Sequence, residues 1–140
     1  MTRLTVFAAG FFLSLAGAAS AQVTHYDCQV KSSSSGGFIA ERLVIGVDSE
    51  SGRARVIDGV VNFVYEAPVD AKLTQRTRGN IGVQWEVIGF QARNGKVNLN
   101  YSAIIFAKSN RVSVTGLVRG FDNDVRADGR CQVAEGINLF

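Results

Sequence analysis

Apolar and polar residues alternate along most of this chain with a period of two, the spacing of a strand that turns one face to a core and the other to water. Past residue 21 no stretch keeps a helical period for long. Val, Ile, Phe and Tyr gather between clusters of glycine and polar residues, and the pattern predicts strands over 24–31, 38–47, 53–57, 60–65, 71–78, 81–91, 97–107, 111–119 and 126–133. The segment 59–68, which holds the only proline, fits a short helical turn equally well. Residues 32–37 are a Ser and Gly run too polar to bury, and Asp48-Ser49-Glu50-Ser51-Gly52 has the chemistry of a hairpin connection.

Register follows from the same alternation, because a slip of one residue exchanges the buried and exposed faces. Val83, Trp85, Val87 and Gly89 share one face of their strand; Leu99, Tyr101, Ala103 and Ile105 share one face of the next. Both sets face one side if Arg93-Asn94-Gly95 is a three-residue loop with Gly95 left-handed. A four-residue loop at Ala107-Lys108-Ser109-Asn110 then sets Ile105 opposite Val112, Ala103 opposite Val114 and Tyr101 opposite Gly116.

The first twenty-one residues change the picture, since they read as a secretory leader: one charge at Arg3, an apolar run, and small residues closing on Ala19-Ser20-Ala21. Cleavage after Ala21 would leave a single domain, 22–140, in a periplasmic or secreted location of a bacterial-type cell envelope. The apolar run is shorter than the roughly 20 residues of a membrane-spanning helix, and no later window approaches that length. In an oxidising compartment the two cysteines, Cys28 and Cys131, pair by default. Their wide spacing suits neither a redox pair nor a metal site.

A meander of eight or nine short strands tied end to end by one disulfide is most simply a small closed antiparallel β-barrel, which leaves no unpaired edge. A two-sheet β-sandwich is the alternative reading. The layout of a leader, a Tyr26-Asp27-Cys28 opening, strands throughout and a closing cysteine resembles small periplasmic barrels such as the C-type lysozyme inhibitors. That resemblance is architectural: it implies a disulfide-tied barrel and carries over no recognition residue.

Charge and chemistry then narrow the function. Arg3 is the only charged residue of the leader, so 22–140 carries 14 basic against 12 acidic residues, a balance that gives no reason to expect nucleic acid as a partner. His25, the only histidine, lies near the mature N-terminus and reads as an exposed or edge-strand residue. With no serine in a G-x-S-x-G context and both cysteines oxidised, a nucleophilic triad has no parts. Asp122-Asn123-Asp124 with Asp128-Gly129 misses the ligand spacing of a calcium loop, and reads as turn chemistry. Neither catalysis nor a cofactor or metal is expected. Lys72, Thr74, Arg76 and Arg78 alternate along one strand, as a solvated face or as a small basic stripe for anionic envelope components, joined by Arg111 and Arg119. Ile88, Phe90, Ile104 and Phe106 fall on the outward face of paired strands, to be covered by the tail 135–140 or to bind a partner. The chain's terminal Phe140 does not make an outer-membrane signature, since the alternation back from it fails.

The leading expectation is an exported, non-catalytic binding module with Ile88, Phe90, Ile104 and Phe106 as its partner surface for a protein or envelope component. The alternative is a lipocalin-like carrier of a small apolar ligand, held in a cup lined by Trp85, Tyr101 and Val114; an enzyme is the third reading.

Overall fold

The computed structural model describes residues 22–33 and 38–140, so the leader and its cleavage site lie outside the described residues. Eight strands follow one another around a closed barrel: β1 (Val23–Ser32), β2 (Arg42–Asp48), β3 (Arg53–Asp58), β4 (Val69–Gln75), β5 (Ile81–Ala92), β6 (Gly95–Phe106), β7 (Arg111–Val118) and β8 (Asp124–Ala134). Each pairs antiparallel with the next, and β8 returns to β1. The barrel reading therefore holds over the sandwich. Cys28 and Cys131 are direct partners across β1 and β8, and their disulfide joins residues 103 apart in sequence at the seam where the barrel closes.

Inward residues on paired strands fill the interior: Leu43, Ile45, Val56, Val83, Val87, Leu99, Ile105, Val112 and Val114 are almost wholly buried. Trp85 and Tyr101 stack at 5.1 Å between ring centres with 14° between their planes. The β6–β7 register is the one the alternation demanded, with Ile105 opposite Val112, Ala103 opposite Val114 and Tyr101 opposite Gly116. On the outside, Lys72, Gln84, Ser102, Thr115 and Arg126 form one transverse polar row across β4 to β8. An apolar inside with a polar outside is the reverse of a membrane-spanning barrel. No helix of the described residues is long and apolar enough to cross a bilayer.

Three local expectations are corrected, and the one segment open to either strand or helix is helical. The segment 60–65 is not a strand but lies in a short helix, α1 (Gly59–Tyr65): the Asp58 carboxylate accepts the Val61 N–H at 2.7 Å, Val60 and Val61 turn to the core, and Glu66 ends the helix in a left-handed conformation. The strand expected from residue 38 begins at Arg42, because 38–41 crosses the end of the barrel instead. The strand expected to reach Arg78 stops at Gln75, and Thr77–Gly79 forms a 3-10 turn. The β5–β6 hairpin turns on Arg93 and Asn94 alone, with Ala92 opposite Gly95; parity is restored by a bulge in which Ile88 and Gly89 stand against one residue of β6.

The C-terminal tail lies on the outer face of β1 to β3, not over β5 and β6. Leu139 is buried, its N–H donates to Nε2 of His25 at 3.2 Å, and its carbonyl accepts Nη1 of Arg55 at 2.6 Å. The Phe140 ring meets the edge of His25 and lies under the Arg53 guanidinium. His25 is thus buried beneath the tail, contrary to the exposed position expected of it.

Candidate functional site

The end of the barrel where β1, β3, β5 and β7 finish, called the mouth below, is closed by α1 and by the 38–41 segment. Ile39 reaches in beside Gly116, and the Tyr101 hydroxyl donates to the Phe38 carbonyl, so the plug is bonded to the barrel interior. Around this plug the surface is aromatic. The Phe90 ring contacts Phe38 edge-on at 6.2 Å and Phe63 at 6.0 Å. Phe38 also lines a cleft of about 400 Å³ with Ala92, Val97, Val118, Phe121 and Val125, rimmed by Arg93, Asn94 and Asn123. Phe63 of α1 is 68% exposed and Phe121 of the β7–β8 connection 63%. One apolar surface therefore runs from Phe63 through Phe90 and Phe38 into the cleft and out to Phe121. Clustered exposed rings of this kind are uncommon on a surface with no binding role.

The bulge builds this surface. Because Phe90 pairs with Val97, it shares the inner side with that residue and packs on the core instead of pointing outward. The Ile88 N–H donates to the Tyr65 hydroxyl at 2.7 Å and the Gly89 N–H to Asn98 Oδ1 at 3.0 Å, so side chains of α1 and β6 satisfy the two amides the bulge frees. Gly89 takes a φ of 76° there, a conformation costly for other residues.

Two ionisable groups lie beneath the rim. Burial pushes the Asp58 carboxyl above its ordinary range, against the opposing pull of the backbone N–H groups of α1. Burial also pushes the Tyr101 hydroxyl up, and the Asp58 charge adds to it.

The outward patch expected from Ile88, Phe90, Ile104 and Phe106 is not one patch. Phe90 is turned in, Ile88 is exposed at the bulge near the mouth, and Ile104 and Phe106 are half-buried toward the opposite end. Trp85, Tyr101 and Val114 are brought together, but as packed interior, buried to within a few per cent. In the basic stripe, Lys72 and Thr74 stay on β4, Arg76 and Arg78 leave with the turn, and Arg119 sits at the mouth paired with Glu86. Asp124 is held by Arg126 at 3.1 Å, and no group of three or more His, Cys, Asp or Glu among the described residues could hold a metal ion.

Sequence reasoning missed Phe38, Phe63 and Phe121. Their shared signal is a phenylalanine in a segment with turn chemistry on one side: Phe38 follows the Ser and Gly run, Phe63 lies five residues before Pro68, and Phe121 sits between Gly120 and Asp122. The chain matches no protein-family model, no curated protein and no solved structure.

Proposed function

We propose that this protein is an extracytoplasmic, non-catalytic binding module that takes an apolar segment of a partner protein at the aromatic mouth of its barrel. The observation that carries the reading is the continuous surface from Phe63 through Phe90 and Phe38 to Phe121, whose two ends are exposed although its middle is packed. Rigid aromatic anchors of this sort supply large contact area with little ordering cost. The Cys28–Cys131 disulfide supports a working place where thiols are oxidised. The only histidine accepts the tail's N–H and both cysteines are bonded to each other, which supports a role without nucleophilic chemistry.

The test is a photo-crosslinking amino acid placed in turn at 121, 63 and 104 in the native envelope. Capture of the same protein from 121 and 63, with nothing from 104, is the expected result. Capture from 104 alone would overturn the reading.

A small apolar ligand is the second reading, favoured by the cleft itself. Its volume of about 400 Å³ falls among ligand pockets. Such a ligand would sit at the mouth, since side chains occupy the space around Trp85, Tyr101 and Val114.

A further inference from the structure

We infer that the end of the barrel opposite the mouth docks on a membrane surface rich in anionic lipid headgroups. Five cations gather there. Arg76 and Arg78 lie on the β4–β5 connection and Lys108 on the β6–β7 connection, and these connections are neighbours, because the Ala107 N–H donates to Asn80 Oδ1 at 3.3 Å. Arg111 opens β7 directly opposite Arg130 of β8. Two like charges facing across paired strands are unfavourable unless an anion offsets them.

None of the five has an ion pair or side-chain hydrogen bond among the described residues, whereas Arg42, Arg55, Arg119 and Arg126 are each matched to a carboxylate. The acidic residues at this end are fewer than its cations. Asp48 is engaged by Ser51 and by the backbone of its own turn, leaving Glu50, Glu135 and, two residues from Arg130 on the same outer face of β8, Asp128. Of the 14 basic residues in 22–140, Lys31, Arg53, Lys72, Arg93 and Lys96 are also without a carboxylate partner among the described residues, but three of the mouth's four connections carry Glu41, Glu66 and Asp122, so the basic excess lies toward the opposite end.

The arrangement fits a sheet of charge better than a single bound anion. The five side chains stem from two connections and two strands, and a cleft that Arg76 lines is otherwise shared with Val47, Leu73 and Ile81 among its larger side chains. Phe106, the cross-strand partner of Arg111, is half-buried beside the cluster, an apolar ring of the kind that enters the headgroup–acyl boundary. Docked this way, the protein holds its mouth away from the bilayer.

The experiment is co-sedimentation of the disulfide-bonded chain at low salt with vesicles of phosphatidylcholine alone or with about one-third phosphatidylglycerol. Binding to the anionic vesicles only, lost near 0.5 M salt, is expected. The triple change Arg76→Gln, Lys108→Gln, Arg111→Gln should weaken it about 100-fold, taking roughly fivefold per cation. Removing as much charge nearer the mouth, with Lys31→Gln, Lys96→Gln and Arg126→Gln, should leave it near the wild-type level. All six positions are exposed, and circular dichroism checks that each variant is folded. No binding to anionic vesicles, equal weakening in both triple variants, or binding to soluble polyphosphate without vesicle binding would each overturn the membrane assignment. The mouth reading stands or falls separately, since crosslinking from 121 and 63 does not involve these residues.

Discussion

Phe90 and Val97 stand opposite each other across β5 and β6, and that pairing turns the Phe90 ring to the inside of the barrel. Simple alternation from Val83, Trp85 and Val87 would send Phe90 outward. The reversal comes from two residues, Ile88 and Gly89, sharing the place of one.

Deleting Gly89 should therefore be tolerated. It leaves Ile88 alone opposite Asn98, a regular ladder with Phe90 still inward, and the expected change in stability is within about 1 kcal/mol. Phe90→Ser should cost more, about 2 kcal/mol, because it takes a half-buried ring from the packing between Phe38 and Phe63. Urea unfolding of both variants checks the order. A deletion that unfolds the chain would mean that the bulge is not where the pairing puts it.

Closure at the β1–β8 seam should dominate stability. Replacing both Cys28 and Cys131 by Ser opens a loop of 103 residues and is expected to cost about 4 to 5 kcal/mol in chemical denaturation. Gly129→Ala attacks the same seam without touching the disulfide, since an added Cβ would lie 1.8 Å from the Gln29 carbonyl oxygen. It should prevent normal closure, and a folded, wild-type-like Gly129→Ala protein would contradict this register.

Asp58 and Asp27 should give pH dependences of opposite sign. Burial raises the Asp58 value in the folded state, so its contribution is fully present below the unfolded carboxyl value of 3.8 and is lost as pH rises through the raised folded value. The hydrogen bond from Arg42 lowers Asp27, whose contribution is present above 3.8 and lost as pH falls through the folded value. Asp58→Asn keeps an oxygen for the Val61 N–H, and should raise stability at neutral pH while flattening that decline. Asp27→Asn should lower stability at neutral pH. Urea midpoints from acid to neutral pH measure both.

The tail should behave as one unit with His25. His25→Ala leaves the Leu139 N–H without its acceptor, a loss of about 1 to 3 kcal/mol. Leu139→Ala removes a buried side chain and should cost about 2 kcal/mol. In a double-mutant cycle the two costs should fall short of adding, because either change loosens the same segment. Strict additivity would show that the tail does not depend on the ring.

The closed fold was readable because its evidence is local and repeated. Alternation at Leu99, Tyr101, Ala103 and Ile105 fixes a face, the 107–110 loop fixes the partner, and two end cysteines imply a seam. The mouth was not readable, since it depends on events that alternation cannot register. Ile88 and Gly89 both have ordinary strand neighbours, and nothing in their types says that two residues oppose one. Asp58 as a helix cap was hidden at the end of a strand, so Phe63 fell on a segment that could be strand or helix. Phe38 and Phe121 acquire meaning only when the barrel end brings their loops together. The tail's destination rests on His25, Arg55 and Gly46 on three separate strands, a grouping with no sequence signal.

The most direct test of the mouth as the binding surface is a fluorescence titration with 8-anilinonaphthalene-1-sulfonate, an apolar probe. The wild-type chain should saturate with enhanced, blue-shifted emission, the Phe63→Ser, Phe121→Ser double variant should lose most of that signal while remaining folded, and Ile104→Ser, Phe106→Ser should retain it. Loss of the signal in the Ile104 and Phe106 variant, with the Phe63 and Phe121 variant unaffected, would place the apolar binding surface on the strand face and contradict the account.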